Sequence, residues 1–314
     1  MDRNNASPAV LLMAYGSPNS LDEVRDYLAQ VRGGRAPSPD EVEHLKQRYR
    51  RVGGRTPLLR ITESQADALE KKLLADGVRA RVSFGMKHWH PFVGDVVEKI
   101  SLDNPPILIG LALAPHYSKL SIGGYEDSVR RGLAKKNSDV QFVMAKSWHT
   151  QPSLIKALSA RVSNGLLEMN ASEATIVLFT AHSLPLKAVS NEDPYQAQLL
   201  ETSQLVAKEA NVTHWDFAFQ SASGPPGTWL GPSLKEKISE LSNKGIKQIL
   251  VCPVGFVSDH LEILYDLDVE AKEYASAHGI ALTRTLSLND DPMFIAALAA
   301  VVRPLLIDQP IAAR

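Results

Sequence analysis

The segment VCPVGFVSDHLEILYDLDVEAKEYA, residues 251–275, contains the pattern on which the chain is built. It begins inside an apolar run at 249–252 that is typical of a buried strand, breaks at the PVG turn, and continues as a helix. Ser258 or Asp259 stands where a side-chain oxygen can cap the first free N–H groups of that helix. A strand, a tight turn and a helix are the repeating unit of α/β proteins with parallel sheets.

Three carboxylates, Glu262, Asp266 and Glu270, recur at four-residue spacing in this helix. Side chains at that spacing share one helical face, and like charges there repel each other by about a few tenths of a kcal/mol per pair. A divalent cation would relieve the repulsion. A solvated acidic face near a helix N-terminus, where the helix dipole favours negative charge, has the same pattern. The segment alone therefore leaves a metal-binding face and a solvated face as alternatives.

Composition narrows the class of protein. A chain of 314 residues suggests two domains, and 44% hydrophobic against 22% charged residues supplies ample material for a sizeable core. The net charge of −1 offers no field that would recruit nucleic acid or an anionic membrane. A lone cysteine, Cys252, excludes an intrachain disulfide and a cysteine-held iron–sulfur cluster. No apolar run approaches the length of a membrane span or of a signal-peptide core, so we expect a cytoplasmic protein.

Strand and helix patterns alternate along both halves of the chain, 1–150 and 151–314, and we expect each half to be one domain. The expected fold is α/β, with two similar Rossmann-like domains, each a four-stranded parallel sheet flanked by helices, and an active-site cleft between them. The strand patterns lie near 10–14, 79–85, 107–115, 140–145, 174–180, 215–219, 248–252 and 280–284.

A faint internal repeat places matching loops in the two halves. LLMAYGSP at 11–18 is similar to IVLFTAHSLP at 176–185, and LALAPHYSKLSIGGYE at 111–126 is similar to VCPVGFVSDHLEILYD at 251–266. If the halves face each other, Tyr15 lies on one wall of the cleft and the pair formed by His182 and Glu262 lies on the other. Clefts between such domains are usual ligand sites.

His182 follows a strand in the loop TAHSLP, where a rigid scaffold presents side chains to a cleft. An imidazole beside a carboxylate suits a first-row divalent metal such as Fe²⁺, and the same pair can act as a general base. A structural histidine is the alternative. Lys87 and His88, in FGMKHWHPF, are further candidates for the cleft.

The first half offers groups that bind carboxylates. Guanidinium forks and hydroxyls hold carboxylates with geometric specificity, and several stand beside glycine pairs or a strand-end loop. These candidates are Arg32, Arg48, Tyr49, Thr56 and Tyr125. Neither a GxGxxG nor a P-loop motif occurs, so a nucleotide cofactor has no support.

Taken together, the motifs resemble those of the ferrochelatases over about residues 10–306. They are LLMAYGSP, QVRGGR, QRYRRVGGRTPL, GMKHWHPF, LAPHYS, TAHSLP, WLGP and CPVGFVSDHLEILYDLDVE. The MAYG start is similar to the coproporphyrin III ferrochelatases of Gram-positive-type bacteria. The resemblance implies insertion of Fe²⁺, as substrate, into coproporphyrin III to give coprohaem in haem synthesis.

By that resemblance, His182 and Glu262 face the porphyrin centre and handle iron and the pyrrole protons, while Tyr15 lies on the opposite porphyrin face. The five carboxylate-binding candidates of the first half would hold the propionates. Asp266 and Glu270, farther along the helix, are expected to bind a second divalent cation, hydrated Mg²⁺ or Fe²⁺ in transit.

Two enzyme alternatives are a protoporphyrin IX ferrochelatase and a cobalt or nickel chelatase of another tetrapyrrole. A haem or metal carrier is the non-enzyme alternative, but a carrier needs no base and so does not account for His182 together with Glu262. We expect a monomer with a porphyrin substrate and no nucleic-acid partner. Transient contact with neighbouring enzymes of haem synthesis stays open.

Overall fold

Two four-stranded sheets, all parallel, form the framework of the protein. The computed structural model describes residues 6–190, 192–225 and 227–307. The first sheet has the strand order β2-β1-β3-β4 and the second has β6-β5-β7-β8, so the two halves share one topology and the predicted fold class is confirmed. The strands are β1 (Ala9–Ala14), β2 (Arg81–Met86), β3 (Ile107–Ala112), β4 (Gln141–Ala145), β5 (Thr175–His182), β6 (Trp215–Gln220), β7 (Gln248–Cys252) and β8 (Ala281–Arg284).

Helices cover both sheets. They are α1 (Val24–Val31), α2 (Pro39–Arg51), α3 (Leu58–Ala75), α4 (Val93–Leu102), α5 (Gly124–Lys135), α6 (Pro152–Glu168), α7 (Tyr195–Glu209), α8 (Leu234–Asn243), α9 (Leu261–Leu264), α10 (Lys272–Ala277) and α11 (Pro292–Ile307). Two π-helical turns, Lys119–Gly123 and Asp266–Ala271, precede α5 and join α9 to α10, and a 3₁₀ turn spans Leu186–Ala188. None of the described helices combines the length and apolar character that a bilayer crossing requires.

The central strands explain why the fold follows the sequence pattern. β1 and β3 are buried along their whole length, as expected for apolar runs covered by helices on both faces. α11 packs against α3 and against α6, so one apolar core runs from the first sheet to the second. The equivalent strands β1 and β5 both lead into the predicted cleft loops, at Tyr15 and at His182.

The helices α1 and α2 of the first half also reach the second half. Val24 and Tyr49 pack with Leu261 of α9 in a small apolar cluster. Arg51 at the end of α2 forms an ion pair with Glu273 of α10, with Nη2 and Oε1 2.5 Å apart. The first half therefore contacts the acidic segment directly.

The prediction of one regular helix beyond residue 258 was wrong. α9 has four residues and passes into the π-helical turn before α10 begins. The predicted caps were also wrong, because the helix starts at Leu261 after His260, whose side chain caps nothing. The Asp259 carboxylate instead accepts hydrogen bonds from Ser287 Oγ at 2.7 Å and Asn289 Nδ2 at 2.9 Å.

Candidate active site

An imidazole and a carboxylate meet at the carboxyl end of the second sheet. His182 is the last residue of β5, and Glu262 lies in the first turn of α9. The distance from His182 Nε2 to Glu262 Oε1 is 3.2 Å, and the two side chains are 29% and 30% exposed. The structure thus brings together the two residues predicted to carry the chemistry and leaves both partly open.

Hydrogen bonds hold both the ring and the main chain of His182. Its Nδ1 contacts the carbonyl oxygen of Ser183, and the Tyr195 hydroxyl donates to the His182 carbonyl at 3.0 Å. Removal from water favours the neutral ring, but the Glu262 carboxylate outweighs it and raises the pKa of His182 to about 9. Both ring nitrogens then carry protons and both donate. Sequence reasoning missed Tyr195, which has no spacing signal relative to His182.

Glu262 lies between two imidazoles. Its Oε2 is 3.3 Å from Nε2 of His260, whose Nδ1 lies 2.8 Å from the Ser258 carbonyl oxygen. Burial opposes ionisation of Glu262, but His182 and His260 together hold its pKa well below the usual range. The pair is therefore an imidazolium and a carboxylate. His260 was not predicted as a site residue, although it stands two residues before Glu262 in DHLE.

Tyr15 directly follows β1, at the carboxyl end of the first sheet. Its side chain is partly exposed, and its ring centroid lies 4.5 Å from that of His88. Burial, followed by the negative charge of Glu262, raises the pKa of Tyr15 above its usual value, so the phenol keeps its proton and stands within electrostatic reach of the carboxylate. Burial and the neighbouring Lys87 lower the pKa of His88 to about 4, which keeps that ring neutral.

Lys87 directly precedes His88 in the chain. Its ammonium lies 5.1 Å from the ring centroid of Tyr125 and 3.4 Å from the Leu120 carbonyl oxygen. Burial, followed by the charge of Arg131, lowers the pKa of Lys87. The Tyr125 side chain is buried beneath this cation. At the predicted position of Tyr125, the structure therefore offers the Lys87 ammonium over the tyrosine ring as well as the tyrosine hydroxyl.

The remaining propionate candidates differ in accessibility. Arg32 forms an ion pair with Glu41 near the surface, where the Arg32 side chain is half-buried and the Glu41 side chain is exposed. Thr56 Oγ1 donates to Ser17 Oγ at 2.8 Å, and Ser17 Oγ lies 2.9 Å from the Tyr49 hydroxyl. Tyr49 is fully buried, so its hydroxyl serves this chain of hydrogen bonds.

The acidic residues beyond Glu262 are divided among separate partners. Asp266 is buried, forms an ion pair with Arg48 and accepts a hydrogen bond from Ser221. Glu270 is exposed, with its Oε1 3.2 Å from Lys235 Nζ. Among the residues that the structure describes, no group of three or more His, Cys, Asp or Glu side chains is arranged to hold a metal ion. Asp266 and Arg48 are thus paired with each other, which the sequence did not predict.

The site offers groups that bind divalent metals and accept protons. An ionised carboxylate lies next to an imidazolium, and a neutral phenol is close enough to sense the charge of the carboxylate. Cys252 is buried in β7, where burial raises its pKa to about 12, so its thiol is not part of this chemistry.

Known proteins with a similar sequence identify the family of this chain. The Ferrochelatase family model matches residues 7–306. A ferrochelatase of Herpetosiphon aurantiacus is 45% identical over 301 residues, which cover 95% of this chain and 99% of that protein. A coproporphyrin III ferrochelatase of Geobacillus thermodenitrificans is 38% identical over 298 residues, covering 93% and 94%.

The fold is also similar to that of a solved chelatase. The structure titled "SirB from Bacillus subtilis with Fe3+" superposes with a TM-score of 0.60 at 15% identity, covering 96% of each chain. At that identity the likeness concerns the fold alone. The sequence relatives have a much higher identity, and the family match includes the loops that carry His182 and Glu262. The chain belongs to the ferrochelatase family.

Proposed function

We propose that this ferrochelatase inserts Fe²⁺ into coproporphyrin III to give coprohaem, with His182 and Glu262 on one porphyrin face and Tyr15 on the other. The observation that carries the proposal is the 3.2 Å contact between the His182 imidazole and the Glu262 carboxylate, both partly exposed. It is supported by Tyr15, which lies close enough to Glu262 for the negative charge of the carboxylate to add to the effect of burial in raising the pKa of the phenol.

The reaction exchanges two pyrrole protons for one metal ion, so the site must take up protons as iron enters. Glu262 is ionised in the resting pair and is the member able to accept a proton, whereas His182 already carries one. An approaching Fe²⁺ disfavours the imidazolium, because like charges lower the pKa of a cationic group. His182 then releases its proton and becomes a neutral ligand for the metal. The two pyrrole protons leave through the coupled pair: the carboxylate of Glu262 accepts them in turn and passes each to solvent, and the proton that His182 gives up also goes to solvent.

The porphyrin face opposite the pair meets Tyr15. Its phenol is protonated in the resting protein and can bind iron as an axial ligand once the metal lies in the ring. His88 supports the Tyr15 ring from the side and carries no charge of its own. Tyr15 therefore adds no charge that would repel the incoming dication.

The preference for coproporphyrin III follows from the number of its carboxylates. Coproporphyrin III has four propionates, whereas protoporphyrin IX has two. The Arg32 guanidinium forms an ion pair with Glu41 near the surface. Because such pairs contribute about 0–1 kcal/mol, a propionate can replace Glu41 at little cost. Each charge-assisted hydrogen bond contributes about 1.5–3 kcal/mol. Two additional contacts would discriminate strongly between the substrates.

A direct comparison of the two porphyrins tests this preference. With Fe²⁺ under anaerobic conditions, kcat/KM for coproporphyrin III should exceed that for protoporphyrin IX by about tenfold or more, equivalent to about 1.4 kcal/mol. Arg32→Gln should reduce the ratio, whereas the control Arg55→Gln, at an exposed arginine, should preserve it. Equal or greater specificity for protoporphyrin IX would refute the coproporphyrin assignment and leave the ferrochelatase activity standing.

We also propose that Asp266 and Glu270 bind a second hydrated divalent cation, Mg²⁺ or Fe²⁺ in transit. The support is their position farther along the segment that starts with Glu262, because sites with few carboxylates suit hydrated hard ions. The cation would compete with Arg48 for Asp266 and with Lys235 for Glu270. Binding should therefore be weak and sensitive to salt.

A further inference from the structure

Gln220 occupies the position next to His182 in the second sheet. It is the last residue of β6, is paired in register with His182, and is 3% exposed. Its carboxamide makes two hydrogen bonds in opposite directions. Thr180 Oγ1 donates to Gln220 Oε1 at 2.8 Å, and Gln220 Nε2 donates to the Glu262 carbonyl oxygen at 2.9 Å. The side chain thus joins the strand that carries His182 to the helix that carries Glu262.

We propose that Gln220 is a positioning residue that fixes the distance between His182 and Glu262 by tying the Glu262 backbone to β5. The inference rests on the proposed catalytic role of that pair. The two hydrogen bonds of the Gln220 carboxamide go to the Thr180 hydroxyl and to the Glu262 main chain, and not to the reacting imidazole or carboxylate. Its effect on catalysis is therefore indirect.

The surroundings of Glu262 show why such a tie is needed. α9 is only four residues long, has no side-chain cap, and passes at once into a π-helical turn. A segment of this kind has few hydrogen bonds of its own to keep a side chain in one place. The buried amide of Gln220 supplies an external anchor at the residue whose carboxylate must stay near His182.

The strand side of the tie is equally specific. Thr180 is fully buried and lies two residues before His182, so the two side chains share one face of β5. The Ser183 N–H also donates to the Gln220 carbonyl at 2.8 Å, which holds the main chain on the far side of His182. A displacement of Gln220 would therefore be transmitted to both sides of the histidine.

The chemistry requires a glutamine. The Glu262 carbonyl can only accept, so it needs the amide NH₂, and the Thr180 hydroxyl then donates to the amide oxygen. An ionised glutamate would keep the contact with Thr180 but would turn an oxygen towards the Glu262 carbonyl. A methionine would fill the space and make neither hydrogen bond.

The same sheet contains a matched control at its opposite end. Thr175, the first residue of β5, donates from Oγ1 to Gln248 Oε1 at 2.7 Å, and Gln248 Nε2 donates to the Met169 carbonyl at 3.3 Å. This threonine–glutamine–carbonyl arrangement repeats the one at Gln220. Because it lies at the amino end of β5, it is far from the reacting pair along the strand.

The test compares Gln220→Met with Gln248→Met in the full-length enzyme. Anaerobic Fe²⁺ insertion gives kcat and the KM for porphyrin, quenching of porphyrin fluorescence gives its Kd, and thermal unfolding gives Tm. We expect Gln220→Met to lower kcat at least tenfold while the porphyrin KM and Kd stay within twofold. Gln248→Met should keep kcat within twofold, whatever its effect on Tm.

Thr180→Val provides a second arm and a double-mutant cycle. It should lower kcat less than Gln220→Met, and the double variant should be no slower than Gln220→Met alone, because both act through one tie. Gln220→Glu, which keeps the contact with Thr180, should be as slow as Gln220→Met. This variant keeps the inference testable if Gln220→Met does not fold.

Two results would overturn the inference. The first is a kcat within twofold of wild type for both Gln220→Met and Gln220→Glu. The second is an equal loss of kcat in Gln220→Met and Gln248→Met, which would indicate a general loss of sheet stability. His182→Ala and Glu262→Gln are measured in parallel. They separate failure of the positioning role of Gln220 from failure of the proposed function. If they are slow while the Gln220 variants are normal, only the positioning role fails. If they turn over normally, the pair is not catalytic and both proposals fail.

Discussion

Replacing Glu262 by glutamine removes the negative charge beside His182 and keeps the shape of the side chain. Burial lowers the pKa of His182, but Glu262, with smaller contributions from the Ser183 carbonyl and Asp266, outweighs burial and raises the pKa from 6.5 to about 9. At 1.36 kcal/mol per pH unit, this difference corresponds to about 3 kcal/mol in favour of the imidazolium. Both side chains are less than one-third exposed, so solvent screens only part of this interaction. In the variant, the His182 pKa should fall back towards its ordinary value, because burial then opposes the charged ring without the carboxylate.

The sign of the effect on stability follows from the direction of the shift. Because the His182 pKa is raised by folding, its contribution to the free energy of unfolding is fully present below about pH 6.5 and is lost as the pH rises through about 9. Glu262, with its pKa lowered, contributes above its ordinary value of 4.5, and that contribution is lost as the pH falls. The pair therefore stabilises the wild-type fold most at mildly acidic pH.

The assay is a histidine NMR titration combined with urea unfolding at about pH 6 and pH 9.5. Relative to Glu262→Gln, the wild type should lose about 2–3 kcal/mol of unfolding free energy between those values. The comparison across pH is needed because the amide also avoids the desolvation cost of a buried carboxylate, which changes the absolute difference. A wild-type His182 midpoint near 6.5, or one unchanged in the variant, would refute the ion pair.

Three further predictions concern the acidic segment and the turn before it. Asp266→Asn combined with Glu270→Gln should raise the KM for Fe²⁺ or abolish sensitivity to Mg²⁺ without changing the KM for porphyrin; unaltered metal kinetics would exclude the second cation site. Arg48→Met leaves the buried Asp266 carboxylate unpaired and should destabilise the fold by about 3–5 kcal/mol in urea unfolding, whereas Arg51→Met, at an exposed pair, should cost about 1 kcal/mol or less. Gly255→Ala should lower both Tm and kcat, because the added Cβ would lie 2.6 Å from Cβ and 3.0 Å from Cα of Ala181 in β5. A wild-type Tm would contradict this packing.

Much of the fold could be read from local patterns. The continuous apolar runs of β1, β3 and β7 predict strands covered on both faces, and their burial agrees. The repeated loop motifs predict that β1 corresponds to β5 and β3 to β7, which is the correspondence in the two strand orders. These features depend on residues close together in the chain, where periodicity and turn chemistry carry the information.

The parts that could not be predicted depend on distant residues. Arg48 and Asp266 are 218 positions apart, so helical spacing could not show that Asp266 is paired with Arg48. The π-helical turn that includes Asp266 breaks the expected four-residue geometry, and no local breaker such as proline or glycine announces it. Gln220 is a single polar residue whose role arises only when β5, β6 and α9 meet.

Single-turnover insertion of Fe²⁺ into coproporphyrin III by wild type and by His182→Ala tests the central claim most directly. The reaction is run without oxygen, and the Soret band reports both porphyrin binding and conversion to coprohaem. The paired imidazole and carboxylate predict that the variant binds porphyrin with a Kd close to wild type but inserts iron more slowly by orders of magnitude. Insertion by His182→Ala at nearly the wild-type rate would contradict the assignment of this pair as the catalytic centre.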